Sequence, residues 1–219
     1  MITDLNLAKF LMKKKYKLMG YFIKVFFNCL APFLFTFMII SCTDQDIPAL
    51  ENEVEIMTDI KLIFTPTLGG DVIQARAQDI DGPGVQNIEV LDEIYLSTNT
   101  NYILTFEIYN NLKNPGENIG IEIREEEDEH QMFFLFTNGA FLDPEGNGNI
   151  DNFSDSINYI DYDRYNNPVG LETYWITGNQ IQNGLFKVIL MHQPGVKTST
   201  SGIFDGDFDF NLEFILNIS

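Results

Sequence analysis

The sequence contains very little cysteine, and this shortage restricts its chemistry. Only two cysteines are present, Cys29 and Cys42, and both lie near the N-terminus. Because none follows residue 42, the rest of the chain forms no internal disulfide, carries no thiolate nucleophile and offers no cysteine ligand to a metal. It must fold on a hydrophobic core alone, and it is long enough for one domain with a sizeable core.

Basic residues are scarce over most of the chain. Six of the 13 lysines and arginines precede residue 25, which leaves 7 basic against 31 acidic residues from Cys42 onward, a formal charge of −24. Such a surface repels phosphate groups and concentrates cations. The composition therefore argues against DNA or RNA binding.

The sequence motifs of several large enzyme classes are also missing. The chain has no G-x-S-x-G, no Gly-Lys-Ser/Thr phosphate loop and no G-x-G-x-x-G. Carboxylate pairs suited to glycoside hydrolysis arise by chance among so many acidic residues, so their presence carries no information. We therefore predict that the protein is not an enzyme.

The N-terminal region is typical of an export signal. A lysine-rich start leads into the apolar run Val25–Ile40, which is shorter than the roughly 20 residues that a membrane-spanning helix needs. The run ends in Ile39-Ile40-Ser41-Cys42, a pattern typical of the bacterial lipobox, at which cleavage exposes a lipid-modified cysteine. We predict a lipoprotein signal peptide over 1–41 and a lipid anchor at Cys42. The alternative is an ordinary signal peptide with a cysteine there by chance.

The remaining chain is predicted to be a short tether followed by a β domain. Residues 42–53 are acidic and aperiodic, whereas 54–219 show strand patterns separated by turn signals. The clearest strand is the last one, in which Asp207, Asp209, Asn211 and Glu213 alternate with Phe208, Phe210, Leu212 and Phe214. This alternation predicts one buried and one wet face. With at most one short helix, near 119–129, we expect an all-β fold, an antiparallel immunoglobulin-like β-sandwich.

The two histidines are the best candidates for a chemical site. His130 opens one predicted strand, His192 closes another, and each is followed by glutamine. If these strands are antiparallel, both imidazoles lie at the same end of the sandwich, where Glu126 and Glu129 can converge on them. Two imidazoles with carboxylates suit Zn²⁺ or Cu²⁺. The sequence predicts a metal site from these four residues; the alternative is two strand-edge histidines beside a solvated acidic turn.

Calcium is a second candidate for a bound ion. Asp143 and Asn147, and more briefly Asp161 and Asp163, place oxygen atoms at alternate positions in loops, and hard cations prefer such ligands. The closing glutamate of an EF-hand is missing, because Ser154 occupies that position. Ordinary β-turns are the alternative explanation.

Three segments carry a family resemblance: residues 122–131 (EIREEEDEHQ), 167–171 (NPVGL) and 192–197 (HQPGVK). They resemble Bacteroidetes lipoproteins known as "type 1 periplasmic binding fold superfamily protein", over roughly 53–218. The family often has glycine where Asn166 stands here. The resemblance implies a cell-envelope lipoprotein working with a TonB-dependent outer-membrane receptor, and it supplies no catalytic residues. The family name implies a two-lobed α/β fold, whereas strands do not alternate with helices in this sequence.

Taken together, these features predict an outer-membrane lipoprotein, on the periplasmic or cell-surface face, that captures a divalent transition metal or a metal complex. Two other functions stay open. One is a structural or adhesive surface module whose acidic residues only keep it soluble. The other is capture of haem, with His130 or His192 as axial ligand, or of carbohydrate stacked on Trp175, the single tryptophan. A core position is the alternative for Trp175.

Overall fold

The structure, a computed structural model, describes residues 55–82 and 87–219. The predicted signal peptide, the lipidation site Cys42 and the tether 42–53 lie outside the described residues. Within the described ranges, no helix is long and apolar enough to cross a membrane.

The described chain forms two β-sheets and one short helix. The elements are β1 (Asp59–Pro66), β2 (Ile73–Gln78), β3 (Glu89–Val90), β4 (Ile94–Leu96), β5 (Asn101–Asn110), β6 (Glu117–Asn118), α1 (Ile119–Glu125), β7 (His130–Phe136), β8 (Phe141–Asp143), β9 (Glu172–Thr177), β10 (Ile181–His192) and β11 (Asp207–Ile218). One sheet has the order β3-β2-β1-β5-β9-β8, with β6 paired to β5, and the other has the order β4-β11-β10-β7.

The strand order confirms the predicted immunoglobulin-like β-sandwich. The path β1-β5-β9-β8 in one sheet and β11-β10-β7 in the other reproduces the ABED and GFC sheets of that fold. Strands β2 and β3 extend the first sheet. One pairing in the described chain is parallel, that of the short strand β4 with β11.

The core lies between the sheets and is rich in aromatic rings. Trp175 is fully buried, and its ring centroid is 4.7 Å from that of Phe141 and 5.3 Å from those of Phe134 and Phe186. Its indole N–H donates to the Thr173 hydroxyl at 2.7 Å, so no polar atom of the ring stays unsatisfied. Burial of each such ring contributes about 2–3 kcal/mol. The core alternative for Trp175 is thus confirmed.

The helix α1 carries the chain from β6 to β7. Ile119 and Ile123, one turn apart, are its buried residues, and this spacing places both on one face. The helix ends where the acidic run begins. The N–H of Glu126 still donates to the Glu122 carbonyl, and the N–H of Glu129 donates to the Glu126 carbonyl, both at 2.9 Å. The run of five acids therefore forms the tight connection that delivers the chain to His130.

A β-bulge breaks the alternation at the start of β11. Leu190 of β10 pairs with Phe210, but Met191 pairs with Phe208, so Asp209 is an extra residue on β11. The predicted orientation is therefore wrong for two residues: Phe208 is 53% exposed, and the Asp209 side chain is only 10% exposed. Bulges re-aim side chains in this way. From Phe210 onward the predicted alternation is correct.

The outer face of β7 and β10 is also covered. Phe133, Ile189 and Met191 form a second apolar cluster, against which Ile150 and Ile203 pack from the loops before β9 and before β11. Because both faces of these strands are buried, β7 reads as an almost unbroken apolar run. Strands β7 and β10 are therefore buried on both faces of their sheet.

Candidate metal centre

The two histidines meet as a cross-strand pair. In the antiparallel register of β7 and β10, His130 lies directly opposite His192. Their rings stack with centroids 4.7 Å apart and planes 8° from parallel. The prediction that antiparallel strands bring both imidazoles to one end of the sandwich is confirmed.

His130 is fully buried, and its two ring nitrogens have different surroundings. Nδ1 lies 3.2 Å from the backbone carbonyl oxygen of Glu126, and because a carbonyl only accepts, Nδ1 carries the proton. Nε2 therefore presents its lone pair, and it has no hydrogen-bond partner among the described residues. Metal-binding histidines are commonly held in this way, with the far N–H donated to a backbone carbonyl.

Two buried carboxylates face the lone pair of His130. Glu55 Oε1 lies 3.5 Å from Nε2 and Asp209 Oδ2 lies 3.6 Å from it. Their side chains are only 9% and 10% exposed. Glu55 Oε2 and Asp209 Oδ2 also lack a hydrogen-bond partner within residues 55–82 and 87–219. Glu55 comes from the segment before β1, and the bulge turns Asp209 inward.

The pKa values of these three groups follow from their burial. Desolvation raises the pKa of Glu55 to about 8, and the charge of Asp209 adds to this rise. Desolvation likewise raises the pKa of Asp209 to about 7. It lowers the pKa of His130 to about 4. In the absence of a bound cation, the carboxyl groups therefore hold protons near neutral pH while the imidazole stays neutral.

Two sets of side chains are close enough to hold a metal ion. We call Glu55, His130 and Asp209 the inner group, and Glu126, His130 and His192 the outer group. In each group the ligand atoms lie within 4.8 Å of one another. The two groups are adjacent, because His130 belongs to both. Nitrogen and carboxylate oxygen together suit a divalent transition metal.

Three of the four residues predicted from the sequence thus come together, and the fourth lies beside them. Glu129 Oε2 is 3.4 Å from His192 Nε2, but Glu129 belongs to neither group of the described chain. The prediction missed Glu55 and Asp209. Asp209 was assigned to the wet face, since alternation does not reveal a bulge. Glu55 is distant in sequence and carried no signal of its own.

Residues 192–197 contact the acidic connection that precedes His130. Lys197, completely buried, forms an ion pair with Asp163 at 3.3 Å and donates to the Glu127 carbonyl at 2.5 Å. The N–H of Gln193 donates to the Glu129 carbonyl at 2.6 Å. These contacts tie the loop after His192 to the connection that precedes His130. They hold the outer group in place.

The calcium candidates Asp161 and Asp163 are surrounded by hydrogen-bond donors. Asp161 accepts backbone N–H bonds from residues 170–172. Asp163 accepts two hydrogen bonds from Asn167, one from its backbone N–H and one from its side chain, in addition to the lysine contact. Carboxylates so placed stabilise turns, as the β-turn alternative states.

The other two calcium candidates are likewise engaged with neighbouring amides. Asp143 accepts a bond from the side chain of Asn158 at 2.7 Å, and the Asn147 amide donates to Asp151 at 3.0 Å. None of the four calcium candidates belongs to a metal-ligand group in the part of the chain that the structure describes.

Comparisons with known proteins return no match to any protein-family model, curated protein or solved structure. The function is therefore inferred from the geometry and the chemistry of the two groups. Both lie at one end of the sandwich, where the segment before β1, the turn after α1 and the bulge of β11 surround the histidine pair.

Proposed function

We propose that the protein captures a divalent transition metal ion, with Zn²⁺ and Cu²⁺ as first candidates, at the inner group. The observation that carries this proposal is the lone pair of the buried His130 Nε2, which faces the carboxylates of Glu55 and Asp209 at 3.5 and 3.6 Å. One nitrogen and two carboxylate oxygens match the donor set of such ions.

A bound cation explains the polarity of this buried site. Leaving a buried polar atom without a partner costs about 1–3 kcal/mol, and three such atoms, on Glu55, His130 and Asp209, gather here among the described residues. A single ion between the three side chains would take one atom of each as a ligand. It would also balance the two negative charges of the ionised carboxylates. The nitrogen ligand favours a transition metal over Ca²⁺ or Mg²⁺, which prefer oxygen ligands alone.

We further propose that this capture takes place at the cell envelope. The apolar run that ends at Cys42 supports a lipid anchor in the outer membrane, on its periplasmic or surface face. The acidic residues 42–53 would then tether the domain, with a reach of about 35–40 Å when extended. The formal charge of −24 from Cys42 onward would concentrate cations near the site. A TonB-dependent outer-membrane receptor is the proposed partner, as the family resemblance implies.

The other functions considered find less support in the geometry. Trp175 is fully buried in the core, so it offers no face to a sugar ring. His130 is fully buried and stacked on His192, which leaves no space for a haem beside it. A purely structural or adhesive role would leave Glu55 Oε2, His130 Nε2 and Asp209 Oδ2 buried without a hydrogen-bond partner among the described residues.

Calorimetric titration of the purified full chain with Zn²⁺ and with Cu²⁺ tests the proposal. We expect a dissociation constant below about 0.1 mM, and a loss of about 100-fold or more in affinity for His130→Ala and for Asp209→Asn. Asp143→Asn removes one acidic charge far from the histidines and is the matched control, with unchanged affinity. Absence of binding to the wild type, or wild-type affinity in both site variants, would contradict the proposal.

A further inference from the structure

The two metal-ligand groups differ in their access to solvent. The inner group is closed: His130 is fully buried, and the side chains of Glu55 and Asp209 are about nine-tenths buried. In the outer group, Glu126 is exposed and the side chain of His192 is 15% exposed. Of the ligands on the two groups, Glu126 and His192 are therefore the ones that solvent reaches most easily.

His130 connects the outer and inner groups. It is a member of both, and the ligand atoms of each group lie within 4.8 Å of one another. His192 stacks on it with ring planes 8° from parallel, and both histidines come from adjacent strands of one sheet. The two groups thus share one ligand residue, and an ion that moves between them exchanges the other two. No large backbone movement is needed for this step.

The surroundings of the outer group also favour a cation. Glu129 lies 3.4 Å from His192, and the acidic run that contains Glu126 leads directly to His130. Exposed ligands exchange an ion readily, because water can replace them. Ligands in a buried site retain the ion longer, because the surrounding apolar residues limit the access of solvent. The two groups therefore differ in the property that separates uptake from retention.

We propose that Glu126 and His192 form an outer metal position that receives the ion from solvent and passes it through His130 to the inner position. This inference rests on the proposed function, since it requires that the inner group hold the metal. The step is an exchange of ligands: the ion loses Glu126, His192 and bound water, keeps contact with His130, and gains Glu55 and Asp209. Its oxidation state does not change.

Such an outer position predicts a specific kinetic result. Ligands that hold the ion only in transit lower the barrier in both directions, so their loss slows uptake and release by the same factor and leaves the equilibrium unchanged. Ligands of the final position behave differently, because their loss weakens binding and speeds release. Rates and equilibrium constants together distinguish the two roles.

The test uses Zn²⁺ and the purified full chain. Stopped-flow mixing with a zinc-sensitive dye measures uptake, capture of the metal by excess chelator measures release, and calorimetry measures affinity. Glu126→Gln and His192→Ala should each slow uptake and release by about tenfold and change the dissociation constant by less than about threefold. Glu125→Gln removes the same charge from the adjacent exposed position and is the matched control. It should change both rates by less than about twofold, because a single exposed charge is screened by salt.

Each other outcome has a definite meaning. Weaker binding with faster release in His192→Ala would make His192 a ligand of the final position and overturn the relay while metal capture stands. Equal slowing by Glu125→Gln and Glu126→Gln would attribute uptake to overall charge and also overturn it. If His192→Ala does not fold, the exposed Glu126→Gln decides alone. If the wild type takes up no Zn²⁺, the proposed function itself fails.

Discussion

In the proposed metal site, His130 determines which proton would compete with the ion. Burial lowers the pKa of its imidazole to about 4, so Nε2 is available for binding across the physiological range. The competing protons reside instead on Glu55 and Asp209, whose pKa values burial raises to about 8 and about 7. An exposed histidine would lose its metal near pH 6.5, whereas this site responds to pH through its carboxyl groups.

The pH dependence of metal affinity follows from these values. Below pH 7 both carboxyl groups must release a proton for the ion to bind, and above pH 8 neither does. We therefore expect Zn²⁺ affinity to rise steeply from pH 6 to 8, by about tenfold per pH unit for each proton displaced, and to level off above that range. Calorimetry in buffers of different ionisation enthalpy measures both the affinity and the protons released.

Two outcomes of that titration would contradict the assignment. A pH profile that is the same in Asp209→Asn as in the wild type would show that Asp209 holds none of the displaced protons. An affinity that does not change between pH 6 and 8 would show that no proton is displaced from Glu55 or Asp209. The variant Asp209→Asn supplies the control, since it should remove one displaced proton from the profile.

Among the structural elements, the β11 bulge has the most direct effect on the site. One extra residue lets β11 keep its pairing with β10 on both sides while it turns Asp209 inward and Phe208 outward. The ladder is disturbed at one position only, and the rest of β11 keeps a buried and a wet face. The bulge thus places the Asp209 carboxylate beside His130 and disturbs the pairing of β10 with β11 at one position only.

Deletion of Asp209 tests this role of the bulge. The deletion removes the residue without a cross-strand partner, so Phe208 and Phe210 become neighbours and the register with Met191 and Leu190 is preserved. We expect the far-ultraviolet circular dichroism spectrum of a folded β protein and a loss of about 100-fold or more in Zn²⁺ affinity.

A matched variant separates the lost ligand from a disturbed strand. Asn211→Ala changes an exposed side chain of the same strand and should keep both the spectrum and the affinity. If the deletion variant binds Zn²⁺ like the wild type, Asp209 is not a ligand. If it is folded and binds no metal, the bulge is needed for the site and not for the sandwich.

For the complete protein, attachment to the membrane is the central remaining prediction. The apolar run ending in Ser41-Cys42 predicts cleavage and lipid modification, and the acidic tether would then hold the sandwich away from the bilayer. Cys42→Ala should block maturation and shift the protein out of the outer-membrane fraction on cell fractionation. Cys29→Ala, inside the apolar run, is the control and should mature normally. Unchanged maturation and partitioning of Cys42→Ala would contradict the lipid anchor.

Short-range sequence patterns were sufficient to predict the β-sandwich and the meeting of the two histidines. Alternating apolar residues predict strands because side chains on a strand point to opposite faces, and this holds for β11 from Phe210 onward. Antiparallel pairing then places the start of one strand beside the end of another. For that reason the meeting of His130 and His192 follows from the sequence together with the sandwich hypothesis.

The inner group could not be predicted from the sequence, because no short-range pattern indicates the contacts that form it. Asp209 turns inward because β11 accommodates one extra residue against β10, and a bulge follows from the pairing of two strands that are distant in sequence. Glu55 faces His130 only because the sandwich brings the segment before β1 to the same end of the core as β7. Burial, which shifts the pKa values of all three ligands, is likewise a property of the assembled core. The strands and their buried faces therefore follow from short-range periodicity, whereas the position of the proposed metal arises from contacts that form only when both sheets are packed.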